Sequence, residues 1–114
     1  MDLSEFEGTS LRHIAELAAE NINKIPKHCR GGVLRWVLRG EVPGQFLVAV
    51  FENDLFAAVV RADSDNIRSL RTYAHYLHNY THTGCYGSPE KVIAWNKHDG
   101  LSGLAQKERE DAGK

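Results

Sequence analysis

An excess of either charge is missing from this chain, whose formal net charge is −1 at pH 7. Non-specific duplex binding draws its affinity from many Lys/Arg–phosphate contacts, so near neutrality argues against a general nucleic-acid binder. Any anion site must be local. Cysteine is also scarce: Cys29 and Cys85 stand alone and far apart, which gives no disulfide framework in a chain of 114 residues, and reduced thiols are expected. Long apolar runs are absent. No segment approaches the ~18 to 20 apolar residues that span a bilayer, so no membrane partner is expected. The opening "MDLSEFEGTS" is acidic and polar where a secretory signal has a basic start and an apolar run, so the expected location is the cytoplasm.

The apolar fraction of 42% and charged fraction of 25% are those of a soluble globular protein, and the length suits one core. Charge is unevenly laid out within it. Residues 1–23 hold Asp2, Glu5, Glu7, Glu16 and Glu20 against Arg12, whereas residues 24–40 hold Lys24, Lys27, Arg30, Arg35 and Arg39 with no acid. That separation predicts a basic patch despite the overall balance.

Periodicity predicts an all-α fold of about five short helices in a single compact domain over residues 1–100, with residues 101–114 a flexible C-terminal tail. Thr9 or Ser10 can cap a first helix carrying Leu11, Ile14, Leu17 and Ala18, ending near Asn23. A second runs from about Gly31 to Arg39 and stops at Gly40. "QFLVAVFENDLFAAVVRAD" reads either as one helix or as a hairpin about "END"; the stripe Leu47, Val50, Phe51, Leu55, Ala58, Val59, Ala62 and the lack of a turn glycine favour the helix. Asp63 or Ser64 can cap the next helix, with Ile67, Leu70, Tyr73, Ala74 and Leu77 inward, and Ser88-Pro89 opens a last one carrying Val92, Ile93 and Trp95, stopped by Gly100. "LSGLAQKEREDAGK" is polar with two glycines and is expected to fray.

The best candidate for binding is "KHCRGGVLRWVLRGEVPG". Arg35 and Arg39 lie one turn apart, His28 can approach from the preceding loop, and Gly32 beside Gly31 leaves bare backbone at a helix start, where amide N–H groups favour anions. The plainer expectation is that these arginines are solvated or pair with the acidic first helix. Tyr86, Ser88 and Lys91 form a second candidate, an aromatic ring beside a capped helix start and a cation. Arg68, Arg71, His75 and His78 make a mildly basic stripe whose histidines gain charge in mild acid. The series His75-x2-His78-x3-His82-x2-Cys85 has zinc-like donor types, but it needs Thr81–Gly84 to curl back, so metal is a weak candidate there. Cys29 beside His28 lacks a nameable orienting group or oxyanion hole, so no enzyme and no cofactor are expected. Asn53-Asp54 inside an apolar run suggests a structural pair such as Asp54 with Arg35.

"IPKHCRGGVLRWVLRGEVPGQFLVAVFENDLFAAVVRAD" followed by "GCYGSPEKVIAW" resembles a group of small phage and prophage proteins with the pattern I-P-x-H-x-x-G-G, R-[YW]-[IV], P-G-x-F-L, N-D-L and C-[WY]-G-S before a tryptophan. The resemblance spans about Ile25 to Trp95. It marks His28, Gly32, Arg35, Pro43, Gly44, Phe46, Asn53, Asp54, Asn79, Cys85, Gly87, Ser88 and Trp95, but not His75, His78 or His82. It implies an accessory phage gene acting in the host cytoplasm, where such proteins often work stoichiometrically against host defence. The leading expectation is a non-enzymatic protein that sequesters an anionic small molecule, such as a nucleotide signal, through His28, Arg35, Arg39 and nearby amides. An oligomer is expected with it, because subunit interfaces supply the pockets a small helical monomer lacks. The alternatives are an inhibitor of a host enzyme or defence nuclease, which predicts an exposed apolar or charged patch, and a small DNA-binding regulator.

Overall fold

The computed structural model describes residues 2–113, which form eight α-helices and no strand. They are α1 (Arg12–Glu20), α2 (Arg30–Arg39), α3 (Gln45–Phe51), α4 (Leu55–Arg61), α5 (Ser64–Arg68), α6 (Leu70–Tyr80), α7 (Pro89–Lys97) and α8 (Gly100–Ala112). Short 3-10 turns at Ser4–Phe6, Ile22–Lys24, Lys27–Cys29 and Thr83–Cys85 join them. The all-α expectation holds in class, while the count of about five is too low. Two local stops divide what the apolar spacing alone reads as continuous, and a further helix stands where a tail is expected.

The first divides Phe46–Val60. It is neither one helix nor a hairpin: Asn53 takes a left-handed φ of 62°, and the Asp54 carboxylate accepts the Ala57 N–H at 3.0 Å to start α4 afresh. Asparagine tolerates that conformation and aspartate is a strong N-cap, so "END" turns the chain without a glycine. The second stop follows Asp63, which caps the short α5 through the Asn66 N–H at 2.8 Å before α6 begins at Leu70. The inner face of α6 is also rotated from the expected one: Tyr73, Tyr76 and Leu77 are buried, whereas Ala74 and Ile67 are exposed. The two tyrosines reach the interior with their hydroxyls satisfied. Tyr76 donates to the Ala18 carbonyl and Tyr73 to the Asn66 side chain, both at 2.7 Å.

The further helix is α8, which begins at Gly100, where the sequence predicts only the stop of the preceding helix. Residues 101–114 were expected to fray; through Ala112 they instead form α8, which buries Leu101 and Ala105 and packs on α2. Two side chains are a narrow apolar stripe, and polar ties to the N-terminal segment add to it. Glu108 accepts the Ser10 N–H and hydroxyl at 2.8 Å each, and Arg109 donates to the Glu7 carbonyl at 3.2 Å. Ser10 is thus not the α1 cap; Leu11 occupies that position without a side-chain bond. Gly40 ends α2 as expected, with φ 69°, and Gly100 opens α8 with φ 63°. These two glycines meet. A Cβ on either would come within 2.6 Å of the other's backbone nitrogen, so the close crossing of α2 and α8 requires both.

The core is built around α2, which buries Val33, Leu34, Trp36, Val37 and Leu38. Trp36 stacks on Phe51 with ring centres 5.4 Å apart and donates its indole N–H to the Cys85 carbonyl at 2.9 Å. Trp95 of α7 in turn donates to the Trp36 carbonyl at 2.8 Å. Two buried indoles therefore tie α2 to α7 and to the turn before it, each polar atom satisfied. Ser88 caps α7 through the Lys91 N–H at 3.2 Å, with Pro89 in the first turn, as the sequence predicts.

Candidate functional site

The helical period divides the basic stretch in two. At 3.6 residues per turn, Arg35 and Arg39 lie about 140° and 180° around α2 from Arg30, so they belong to the opposite side of the helix. There they meet acids. Arg39 lies 3.6 Å from the Glu5 carboxylate and Arg35 3.7 Å from that of Glu41, and the shallow cleft they share also contains Asp2. Neither arginine pairs with the first helix: Glu5 precedes α1 and Glu41 follows α2. Asp54 is engaged with its own helix start rather than with Arg35.

His28 is not brought to that surface. Its Nε2 lies 2.9 Å from Asp63, whose carboxyl is held below its ordinary pKa chiefly by the Asn66 backbone N–H it accepts and secondarily by His28. Gly32 is a packing glycine: a Cβ there would stand 3.3 Å from Leu47 and 3.8 Å from Pro43 of the chain entering α3. Around α7, the Ser88 hydroxyl and the Lys91 N–H satisfy each other, and the Lys91 ammonium donates to the Thr83 carbonyl at 3.0 Å. Tyr86 lines an apolar groove beside α4.

The His/Cys series is dispersed. His75 packs edge-on to Tyr80, His78 lines the apolar groove, and His82 lies over Trp95 with ring centres 5.2 Å apart. Cys85 is fully buried against Thr81, and burial pushes its thiol up to about 12. The 3-10 turn carries Cys85 into the core instead of curling back toward the helix. Among the described residues no group of three or more His, Cys, Asp or Glu side chains is placed to hold a metal. Cys29 is likewise buried, its sulfur 3.6 Å from the Asn66 side chain. Neither thiol sits in the exposed, electropositive setting that makes a nucleophile.

What the fold does assemble is a different basic face. The turns between α1 and α2 bring Lys24, Lys27, His28 and Arg30 to one side of an open groove, and Arg68 of α5 lines the other. Lys24 also borders a second, adjoining groove with Arg71 and His75 of α6. The Arg30 guanidinium is fixed by donating to the carbonyls of Ile25 and Asn23, both at 2.8 Å, and Lys24 lies over the Tyr80 ring at 5.9 Å. Asp63 and Asp65 are the acids here, spent on His28 and on Arg68. Among the described residues Lys27, Arg30 and Arg71 have no carboxylate partner within 4 Å, in contrast to Arg12, Arg35 and Arg39. The acid-free run 24–40 signals half of this face; its junction with α6 is a tertiary fact with no local signature.

A second surface has the opposite character. On α4, Leu55, Phe56, Val59 and Val60 are exposed, Phe56 at 85%. They adjoin an open groove of about 380 Å³ between α4 and α6. The sequence places the α4 side chains Leu55 and Val59 in the core because their spacing is that of a buried stripe. Compared with family models, with curated proteins and with solved structures, the chain matches none of them. No helix among the described residues is long and apolar enough to cross a membrane.

Proposed function

We propose that this protein is a non-catalytic binder of phosphate-bearing anions, nucleotides or short oligonucleotides, and that its working surface is the face carrying Lys24, Lys27, Arg30, Arg68, Arg71 and His75. One observation carries the reading: cations from three separate segments converge on adjoining concave surfaces, and among the described residues Lys27, Arg30 and Arg71 lack carboxylate partners. Converging unneutralised cations raise the local potential and draw anions even when the whole chain is near neutral. The grooves are open rather than enclosed, which suits recognition of phosphates along a strand or at the end of a nucleotide rather than engulfment of a base. Stoichiometric capture of a nucleotide by an accessory protein, the role implied by the phage-like sequence pattern, is compatible with such a face. The site moves from Arg35 and Arg39, whose charge Glu41 and Glu5 offset, to the other side of α2.

The test is thermal unfolding against linear and cyclic nucleotides and a short single-stranded oligonucleotide, at low and physiological salt. A ligand bound only by the folded state adds about 2.7 kcal/mol at a hundredfold excess over its Kd. The expected result is a rise in midpoint that weakens with salt, is lost in Lys27→Glu/Arg71→Glu and survives in Arg35→Glu. No rise with any of them, or loss in Arg35→Glu alone, would overturn the assignment.

A further inference from the structure

We infer that the basic face holds two separate phosphate seats, and that its ligand is a nucleotide derivative whose two phosphate groups are set apart rather than joined in one chain. The inference rests on the anion-binding reading and deepens it. The face is made of two adjoining grooves, and Lys24 lines both. The first groove adds Lys27 and Arg30, and the second adds Arg71 and His75. Each groove also has one hydroxyl of its own. Ser69 lines the first and Thr72 the second, and neither side chain has a hydrogen-bond partner among the described residues. Lysine, arginine and a hydroxyl donor are the groups that contact phosphate oxygens, and here the set occurs twice around one shared cation.

That sharing favours two phosphates over one. A lone phosphate fills one seat and leaves the cations of the other without a counter-charge. Two phosphates held apart by a sugar can fill both, with Lys24 between them, and the second contact is then intramolecular, which multiplies affinity. The acids add to the argument. Asp65 lines the first groove, 2.8 Å from Arg68, and His28 there lies 2.9 Å from Asp63, so this seat is partly offset. No carboxylate lines the second groove. Arg30 is already fixed by the carbonyls of Ile25 and Asn23, and Lys24 by the Tyr80 ring, which lowers the ordering cost of binding. Such a phosphate pair occurs in a phosphodiester strand and in a nucleotide phosphorylated at two positions of its ribose.

The experiment is isothermal titration calorimetry of the full chain, without magnesium, against AMP, ATP, adenosine 3′,5′-bisphosphate and a 5′-phosphorylated diadenylate. ATP carries a charge similar to that of the bisphosphate but in one contiguous chain, so the two separate spacing from charge. The bisphosphate is expected to bind at least about tenfold tighter than ATP. Lys27→Ala or Arg71→Ala should remove that advantage while leaving ATP, which can use the remaining seat, within about threefold of the wild type. Lys24→Ala should weaken both ligands. All three side chains are exposed, so the fold should persist, and circular dichroism checks it. A diadenylate tighter than the bisphosphate names a strand as the source of the phosphate pair, and the reverse names a doubly phosphorylated nucleotide. ATP as tight as the bisphosphate, or Arg71→Ala weakening the two equally, would overturn the two-seat inference and leave the anion-binding reading standing. No binding of any of the four would overturn both.

Discussion

Helices α2 and α4 are both rich in apolar residues, and the fold treats them in opposite ways. Of the ten residues of α2, five are buried, and its central tryptophan is held by a stacked ring and two hydrogen bonds. Of the seven residues of α4, Ala58 alone is buried, and the helix leans mainly on α3. Composition does not separate them. The difference lies in what surrounds each: α2 runs between the N-terminal segment, α3, α7 and α8, whereas α4 is an outer helix of about two turns, restarted by Asp54 after the chain has turned at Asn53. An apolar segment becomes core where other elements close over it, and where none do it remains a surface that a partner can use.

The comparison is broken most severely at Trp36. Trp36→Ala removes the ring against Phe51 and leaves the Cys85 carbonyl without its donor, so a loss of about 3 to 5 kcal/mol is expected from urea unfolding. That is a large share of the ~5 to 15 kcal/mol that holds an ordinary domain. Phe56→Ala, also a large aromatic deletion, should change the stability of the dilute monomer by no more than ~0.5 kcal/mol. Comparable losses at the two positions would mean that α4 is covered in the monomer.

How much of this was legible beforehand differs between the same two regions. The ends of α2 and α7 are written locally, in the left-handed Gly40 and in Ser88-Pro89, and those signals act within a few residues whatever the rest of the chain does. The α8 helix is not, because a polar segment with only Leu101 and Ala105 to bury looks like a tail until Gly100 and Gly40 are known to touch. The exposure of α4 is not legible either: a helical stripe says which residues share a face and nothing about whether that face is covered. For the candidate site, the acid-free run 24–40 was readable as a basic patch, but helical geometry sends Arg30 and Arg39 to opposite sides. The junction of Lys24 with Arg71 and His75 depends on the chain's path between α1 and α2.

Acid should strain the core half of the molecule at His82, which has no counterpart in α4. His82 lies over Trp95, and its Nδ1 accepts the Gly84 N–H at 2.9 Å, which requires the neutral ring. Burial first, then the charges of His98 and Lys91, lowers its pKa below the ordinary value near 6.5. The unfolded chain therefore takes up this proton before the folded one. The contribution of His82 is fully present above the unfolded pKa and shrinks as pH falls through it toward the folded value. Unfolding midpoints measured from neutral pH downward should fall below ~6.5, and His82→Gln should flatten that part of the profile. An unchanged profile in the variant would assign the acid sensitivity elsewhere.

The smallest expected effect separates the two regions by cooperativity rather than by energy alone. Ser88 and Asp54 make the same kind of bond, each accepting a first-turn N–H, at 3.2 Å for α7 and 3.0 Å for α4. Loss of an N-cap costs about 1 kcal/mol when the helix unfolds with the whole domain. The α7 helix carries Trp95 and Val92 into the core, so Ser88→Ala should lower global stability by about that amount. The α4 helix has one buried residue and can open by itself, so Asp54→Ala should leave the global midpoint almost unmoved. Its effect should appear instead in amide hydrogen exchange, as faster exchange confined to residues 55–61 under dilute, monomeric conditions. If the two caps lower the global midpoint equally, α4 unfolds with the core. Its open face would then belong to a rigid element whose apolar side chains stay exposed without local unfolding.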